Sequence, residues 1–97
     1  CVDGAQPIID AIGTADPAQS YGLRALPGSF MKGGWGPSPT GAYDVRQMGI
    51  VRLGRHDVAI AMIASSSDGQ YASAQAVLTS VAEDLAQADT QWPSPAC

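Results

Sequence analysis

Apolar and polar residues alternate along residues 42–53. Tyr43, Val45, Gln47, Gly49, Val51 and Leu53 fall on one side of an extended chain, and Asp44, Arg46, Met48, Ile50 and Arg52 on the other. A period of two predicts a strand that turns one face to a core. Gly54-Arg55-His56 then turns the chain. The next run, residues 57–65 (DVAIAMIAS), is apolar on both sides, which predicts a strand covered from both faces. Upstream, residues 29–34 read as a further strand ending in a glycine pair. Three strands on short links predict an antiparallel meander.

The period changes on either side of these strands. Residues 5–13 (AQPIIDAIG) read as a short helix: Pro7 suits the first turn, Ile8, Ile9 and Ile12 make a stripe, and Gly13 closes it. Residues 70–88 carry Tyr71, Ala74, Leu78, Val81 and Leu85 at spacings of three and four, the stripe of an amphipathic helix, with Ser67 or Asp68 as its N-cap. Residues 14–28 are punctuated by Asp16-Pro17, Gly22 and Leu26-Pro27-Gly28 and read as a loop or a single helical turn. Residues 35–41 (WGPSPTG) read as a loop, because proline donates no ladder hydrogen bond, and residues 89–97 as an extended tail.

The order predicts an α/β chain of the α+β kind: one unit over residues 1–97, with a three-stranded antiparallel sheet, a short N-terminal helix and a long C-terminal helix packed on the sheet. One helix covers one side of the strand over 57–65, and the short helix barely covers the other. A three-stranded sheet also keeps an unpaired edge. The pattern therefore implies a neighbour, either a further part of the protein or another subunit completing the sheet.

Composition narrows the class. Ninety-seven residues suit one domain. A net charge of −4 and a pI near 4.4 argue against nucleic acid as a partner, and 45% hydrophobic with 14% charged residues against a disordered tail. No run reaches the ~18 apolar residues of a transmembrane segment. Two cysteines and the single His56 are too few for a four-ligand zinc site, so no metal or cofactor is expected.

The cysteines are Cys1 and Cys97, and no initiator Met or hydrophobic signal precedes them, so the chain reads as a processed product or a fragment. A Cys1–Cys97 disulfide would close nearly the whole chain, worth roughly 4–5 kcal/mol by loop entropy. It would imply an oxidising, extracytoplasmic compartment: secreted, periplasmic or cell-envelope. The alternatives are two unrelated thiols, or a lipid-modified Cys1.

The charges are unevenly spread. Arg24, Lys32, Arg46, Arg52 and Arg55 all lie within residues 24–55 beside Asp44 alone, giving that stretch +4 and the rest of the chain −8. A basic centre suits a small carboxylate-bearing substrate, although Arg52 and Arg55 flank a hairpin turn, where charge simply solvates loop ends. Lys32-Gly33-Gly34-Trp35 is the candidate chemical element. Two glycines let a ligand approach the backbone, the ammonium offers a positive charge, and backbone N–H groups there can meet a developing oxyanion. Its bland counterpart is a solvated strand end with a glycine bulge, and Arg46 as a surface residue paired with Asp44.

The succession of short helix, LPGSFMKGGWGP, YDVRQMGIVRL, hairpin, apolar strand and amphipathic helix resembles the C-terminal portion of the serine β-lactamase and penicillin-recognising peptidase superfamily, in a K-x-G-W form. The resemblance covers about residues 5–88. It implies a β-lactamase-like serine hydrolase or transpeptidase fold, with hydrolysis or acyl transfer through an acyl-serine. Lys32 would take the electrostatic role beside the nucleophile and the Trp35 backbone N–H would donate to the oxyanion. Gly33 and Gly34 would border the substrate, and Arg46 would pair its carboxylate. Gly33 departs from the family pattern, which has a hydroxyl-bearing residue there. Ser29-Phe30-Met31-Lys32 matches the string S-x-x-K, but residues three apart in a strand point to opposite faces, so Ser29 is not the nucleophile. The nucleophile would come from another segment, and these residues alone should be inactive. The second reading is a non-catalytic extracytoplasmic binding or assembly subunit that retains the fold.

Other candidates carry less. His56 beside Asp57 reads as an exposed turn pair, Met31, Met48 and Met62 as core filler, and Trp92 as packing on the terminal helix. Ser65-Ser66-Ser67 reads as a capping cluster with nothing to activate it.

Overall fold

A computed structural model describes residues 2–14, 16–88 and 91–92. Cys1, Cys97 and most of the tail over 89–97 lie outside the described residues, and with them the Cys1–Cys97 pairing.

The architecture is α+β: helix α1 (Gln6–Gly13), two 3-10 turns (Pro17–Gln19 and Gly22–Ala25), strands β1 (Phe30–Pro37), β2 (Tyr43–Leu53) and β3 (His56–Ser66), and helix α2 (Tyr71–Gln87). The three strands form one antiparallel sheet in the order β1-β2-β3, so β1 and β3 are its edges. No described helix is long and apolar enough to cross a membrane.

Two tight turns fix the register. Between β1 and β2, Ser38 N–H donates to Ala42 O at 2.8 Å and Gly41 N–H to Ser38 O at 3.1 Å, with Gly41 at φ +83°. This three-residue turn needs a left-handed residue at its last position, which glycine supplies. Between β2 and β3, Gly54-Arg55 joins Leu53 to His56 directly opposite, with Gly54 at φ +61°.

Phe30 then pairs with Ile50, Lys32 with Met48 and Gly34 with Arg46. On the other side of β2, Arg46 pairs with Ile63 and Met48 with Ala61. Hydrogen-bonded and non-hydrogen-bonded pairs alternate along each ladder. Counted from the two turns, Met31, Gly33 and Trp35 on β1 direct their backbone N–H and C=O groups off the sheet. On β3, Asp57, Ala59, Ala61, Ile63 and Ser65 do the same.

The alternation in β2 is realised as the sequence predicts. Val45, Gln47, Val51 and Leu53 are buried against α2 and the second 3-10 turn, together with Met31, Val58, Ala64 and Ser66. One part of the core joins Leu23, Leu26, Met31, Val51, Leu53, Val58 and Ala82, and the other joins Tyr21, Val45, Ala64, Ala74 and Leu78. Trp92 packs against the first part, which includes Ala82 of α2.

Several expectations need correction. β3 is not covered on both sides: Val58, Ala64 and Ser66 are buried, whereas Ala59 and Ala61 are exposed and Ile63 is 59% exposed. The short helix reaches only one corner, where Gly13 abuts the Phe30 ring, and α1 buries none of its own residues. Met48 is not core filler but 63% exposed on the open face, while Met31 is fully buried.

β1 continues through Trp35-Gly36-Pro37 rather than ending at Gly34. Pro37 is tolerated because its position on this edge strand directs the missing N–H away from the ladder. The inner residues of α2 are Ala74, Leu78 and Ala82, while Val81 turns partly outward. Neither Ser67 nor Asp68 is the N-cap. Gln70 holds that position without a side-chain cap, and Asp68 stands just ahead, accepting from Gln70 N–H and Ser73 Oγ.

Candidate functional site

Ladder parity places the members of the Lys32-Gly33-Gly34-Trp35 element on two faces. Lys32 and Gly34 belong to the open face with Arg46, Met48, Ala61 and Ile63, and Gly33 and Trp35 to the helix-covered face. Lys32, Gly34, Arg46, Met48 and Ile63 border a concavity of about 480 Å³ on this open face. Its floor is apolar, and its charge comes from Lys32 on β1 and Arg46 on β2.

Lys32 is exposed, and its Nζ donates to the carbonyl of Gly33, one of the groups directed off the β1 edge. The Trp35 N–H is directed off the same edge, so its donor is not used by the β1–β2 ladder. The Trp35 ring, 48% exposed, stands 5.7 Å from the Tyr71 ring. Tyr71 also meets Tyr43 at 5.6 Å and Tyr21 edge-on at 6.0 Å, and these aromatic contacts hold the end of β1 to the start of α2.

Arg46 is committed to its own strand. Its Nη2 lies 2.9 Å from Asp44 Oδ2, and Ser65 Oγ donates to the other carboxylate oxygen of Asp44. This is the surface pairing weighed against a substrate-binding role. Arg52 is similarly paired with Asp57, Nε to Oδ1 at 2.6 Å, and Arg24 Nη1 donates to the carbonyls of Gly13 and Ser29. Three of the four arginines in the basic stretch thus have structural partners. Ser29 is buried beneath the sheet, while Lys32 lies on the open face, so the two do not meet.

Gly33 has a neighbour that the sequence did not indicate. A Cβ there would stand 2.8 Å from Gln19 Oε1 and 3.6 Å from the Tyr21 hydroxyl. Gln19, from the first 3-10 turn, occupies the space that a hydroxyl-bearing residue would need. Its Oε1 is buried without a hydrogen-bond partner among the described residues.

Tyr21 is buried one step away. Its hydroxyl shares a 3.2 Å hydrogen bond with that of Tyr71, and burial, then this bond, pushes its ionisation well above the usual phenol range. Tyr21 therefore stays a neutral phenol at any physiological pH.

Below the sheet, Gln47 anchors this layer. Its Oε1 accepts from Leu23 N–H at 2.9 Å and its Nε2 donates to Tyr21 O at 3.0 Å. Its place on the buried side of an alternating strand was readable, but the partner it holds was not.

Among the described residues no group of three or more His, Cys, Asp or Glu side chains could hold a metal ion. No protein-family model, curated protein or solved structure matches this chain.

Proposed function

We propose that this chain is the C-terminal segment of an extracytoplasmic β-lactamase-like serine hydrolase or transpeptidase, contributing one wall of an acyl-transfer site whose nucleophile another segment supplies. The observation that carries this reading is the convergence at β1. Lys32 and Gly34 border an open concavity, the Lys32 ammonium rests at its rim on the Gly33 carbonyl, and the Trp35 N–H is free of the ladder at the adjacent edge.

In that role the docked segment brings a serine over the open face. Lys32 supplies positive charge beside it, and the Trp35 N–H donates to the oxyanion that develops as the serine attacks an ester or amide carbonyl. Met48, Ala61 and Ile63 form an apolar floor that the docked segment covers, excluding water from the reacting groups. A carboxylate-bearing substrate would compete with Asp44 for Arg46.

Two observations favour the second reading, a non-catalytic binding or assembly subunit. Gln19 fills the space of the absent hydroxyl at Gly33, and Asp44 already holds Arg46. The two readings separate by labelling the full-length parent protein with an electrophilic serine probe, such as a fluorescent penicillin or a fluorophosphonate. The enzyme reading expects labelling that falls at least tenfold in Lys32→Ala with the melting temperature unchanged. Equal labelling of Lys32→Ala removes Lys32 from the site, and no labelling of a folded parent leaves the binding subunit.

A further inference from the structure

The two edges of this sheet are built differently. The β1 edge carries Pro37, and Lys32 folds back onto one of its outward carbonyls, both devices that keep a second strand away. The β3 edge has neither. Residues 58–66 hold no charge and no proline, and the one charge at its start, Asp57, is paired with Arg52. Five residues of β3 direct N–H and C=O groups outward, and among the described residues no strand pairs with them.

Beside this edge runs a groove of about 530 Å³ lined by Ile60, Met62, Val77, Val81, Leu85 and Trp92, with Val77 51% and Val81 41% exposed. Its apolar lining suits the apolar face of an added strand. Edge addition of this kind draws affinity from main-chain hydrogen bonds and specificity from alternate side chains.

We propose that the strand added to β3 is β3 of a second copy of this chain, paired antiparallel about a two-fold axis through Ala61. That register alone brings all five outward residues opposite outward residues: Asp57 with Ser65, Ala59 with Ile63, and Ala61 with Ala61. It sets no like charges face to face. On the helix side it matches Val58 with Ala64 and on the open face Ala59 with Ile63, each a large side chain against a small one, and it brings Ile60 and Met62 together as an apolar pair on the helix side. The result is a continuous six-stranded sheet with the Val77 and Val81 sides of the two helices turned toward each other.

Nine residues per strand give a contact ~30 Å long. With the flanking helices it reaches on the order of the ~1,000 Å² at which specific interfaces begin, so a weak, reversible dimer is expected. Lys32 and Trp35 lie at the outer edges of this six-stranded sheet, so the dimer neither requires nor blocks the acyl-transfer reading.

The test is sedimentation equilibrium of the 97-residue chain from about 1 to about 300 µM. A monomer–dimer equilibrium is expected, and it should be abolished in Ala61→Pro, which removes an outward N–H that the fold does not use, and in Ala59→Lys. Both variants are checked for folding by near-ultraviolet circular dichroism, and if one is unfolded the cross-link decides. In a Cys1→Ser, Cys97→Ser background, Ala61→Cys should form a disulfide dimer, since paired Cα atoms ~5.5 Å apart lie within disulfide reach. Ala59→Cys should not. A wild-type chain that stays monomeric throughout, a folded Ala61→Pro that dimerises as wild type, or cross-linking at position 59 but not 61 would each overturn the proposal. A monomer that pairs only with a different protein's strand counts as the first of these.

Discussion

Replacing Gln47 by leucine tests the link between the sheet and the loop that frames the candidate site. The side chain is 2% exposed, sits on the buried face of β2, and serves both Leu23 N–H and Tyr21 C=O. Leucine is close in volume, so the cavity term is small, but both backbone groups are left without a partner in an apolar layer. An orphaned buried donor or acceptor costs about 1–3 kcal/mol, and leucine recovers part of this by being apolar. A net loss of about 2–4 kcal/mol is expected, a large share of the ~5–15 kcal/mol that a domain of this kind has in total. Urea denaturation followed by tryptophan fluorescence measures it as a lower midpoint at unchanged slope. The Gln47 amide also acts to lower the Tyr21 phenol's ionisation, against the burial that raises it, so in the same variant that phenol should titrate still higher when followed by absorbance. A loss below about 0.5 kcal/mol with an unchanged Tyr21 titration would refute the reasoning, because water or a shifted backbone would then be satisfying both groups.

Three further outcomes follow from the packing and the titrations. Gly49→Ala should destabilise by about 3 kcal/mol in the same denaturation assay, because its Cβ would stand 2.3 Å from the Phe30 carbonyl oxygen and 2.9 Å from Met31 Cα, backbone atoms that cannot yield without parting β1 from β2. Asp68 is held below its ordinary 3.8 first by the Ser73 hydroxyl and then by the Gln70 N–H. Its stabilising effect is therefore present above about pH 4 and lost as the pH falls through the lowered value. Ser73→Ala should raise the Asp68 midpoint in a carbon-detected carboxylate titration and narrow that acid-sensitive window. Tyr21 carries the opposite sign: with its folded ionisation raised by burial, its contribution holds below the usual phenol range and is lost only as the pH climbs through the raised value. Tyr71→Phe, which removes the shared hydrogen bond, should lower the Tyr21 midpoint without returning it to 10.

What the sequence made legible was the regular part. The period of two in residues 42–53 identifies the inner face of β2 residue by residue, because a one-residue slip would turn Gln47 and Val51 outward and Arg46 inward. The helix was equally readable in extent, but not in its inner face, where Ala82 replaces Val81. Contact with a flat sheet favours small residues at the closest approach, and periodicity counted in large apolar residues selects the wrong one. Pro37 misled for a related reason: proline excludes an inner strand, but on an edge its effect depends on ladder parity, which is set by a turn further on.

The irregular segment over 14–28 hid the most. Its turns bring Gln19 onto Gly33 and Tyr21 onto Tyr71, contacts between residues too far apart in the chain for any local pattern to signal.

The position of Lys32 shows how an exposed residue on an edge strand could be drawn into a site. Its ammonium now donates to the Gly33 carbonyl, so entering the concavity breaks one hydrogen bond, a cost of about 0.5–1.5 kcal/mol in a solvated setting. A charge-assisted bond to an anionic partner contributes about 1.5–3 kcal/mol and more once water is excluded, so the exchange runs downhill only when both an anion and a covering segment are present. The same release bares the outward carbonyl of Gly33 next to the outward N–H of Trp35, one acceptor and one donor two residues apart on the β1 edge. That edge is therefore guarded while Lys32 rests on it and open to an extended substrate backbone when Lys32 is engaged, whereas the β3 edge has no such guard.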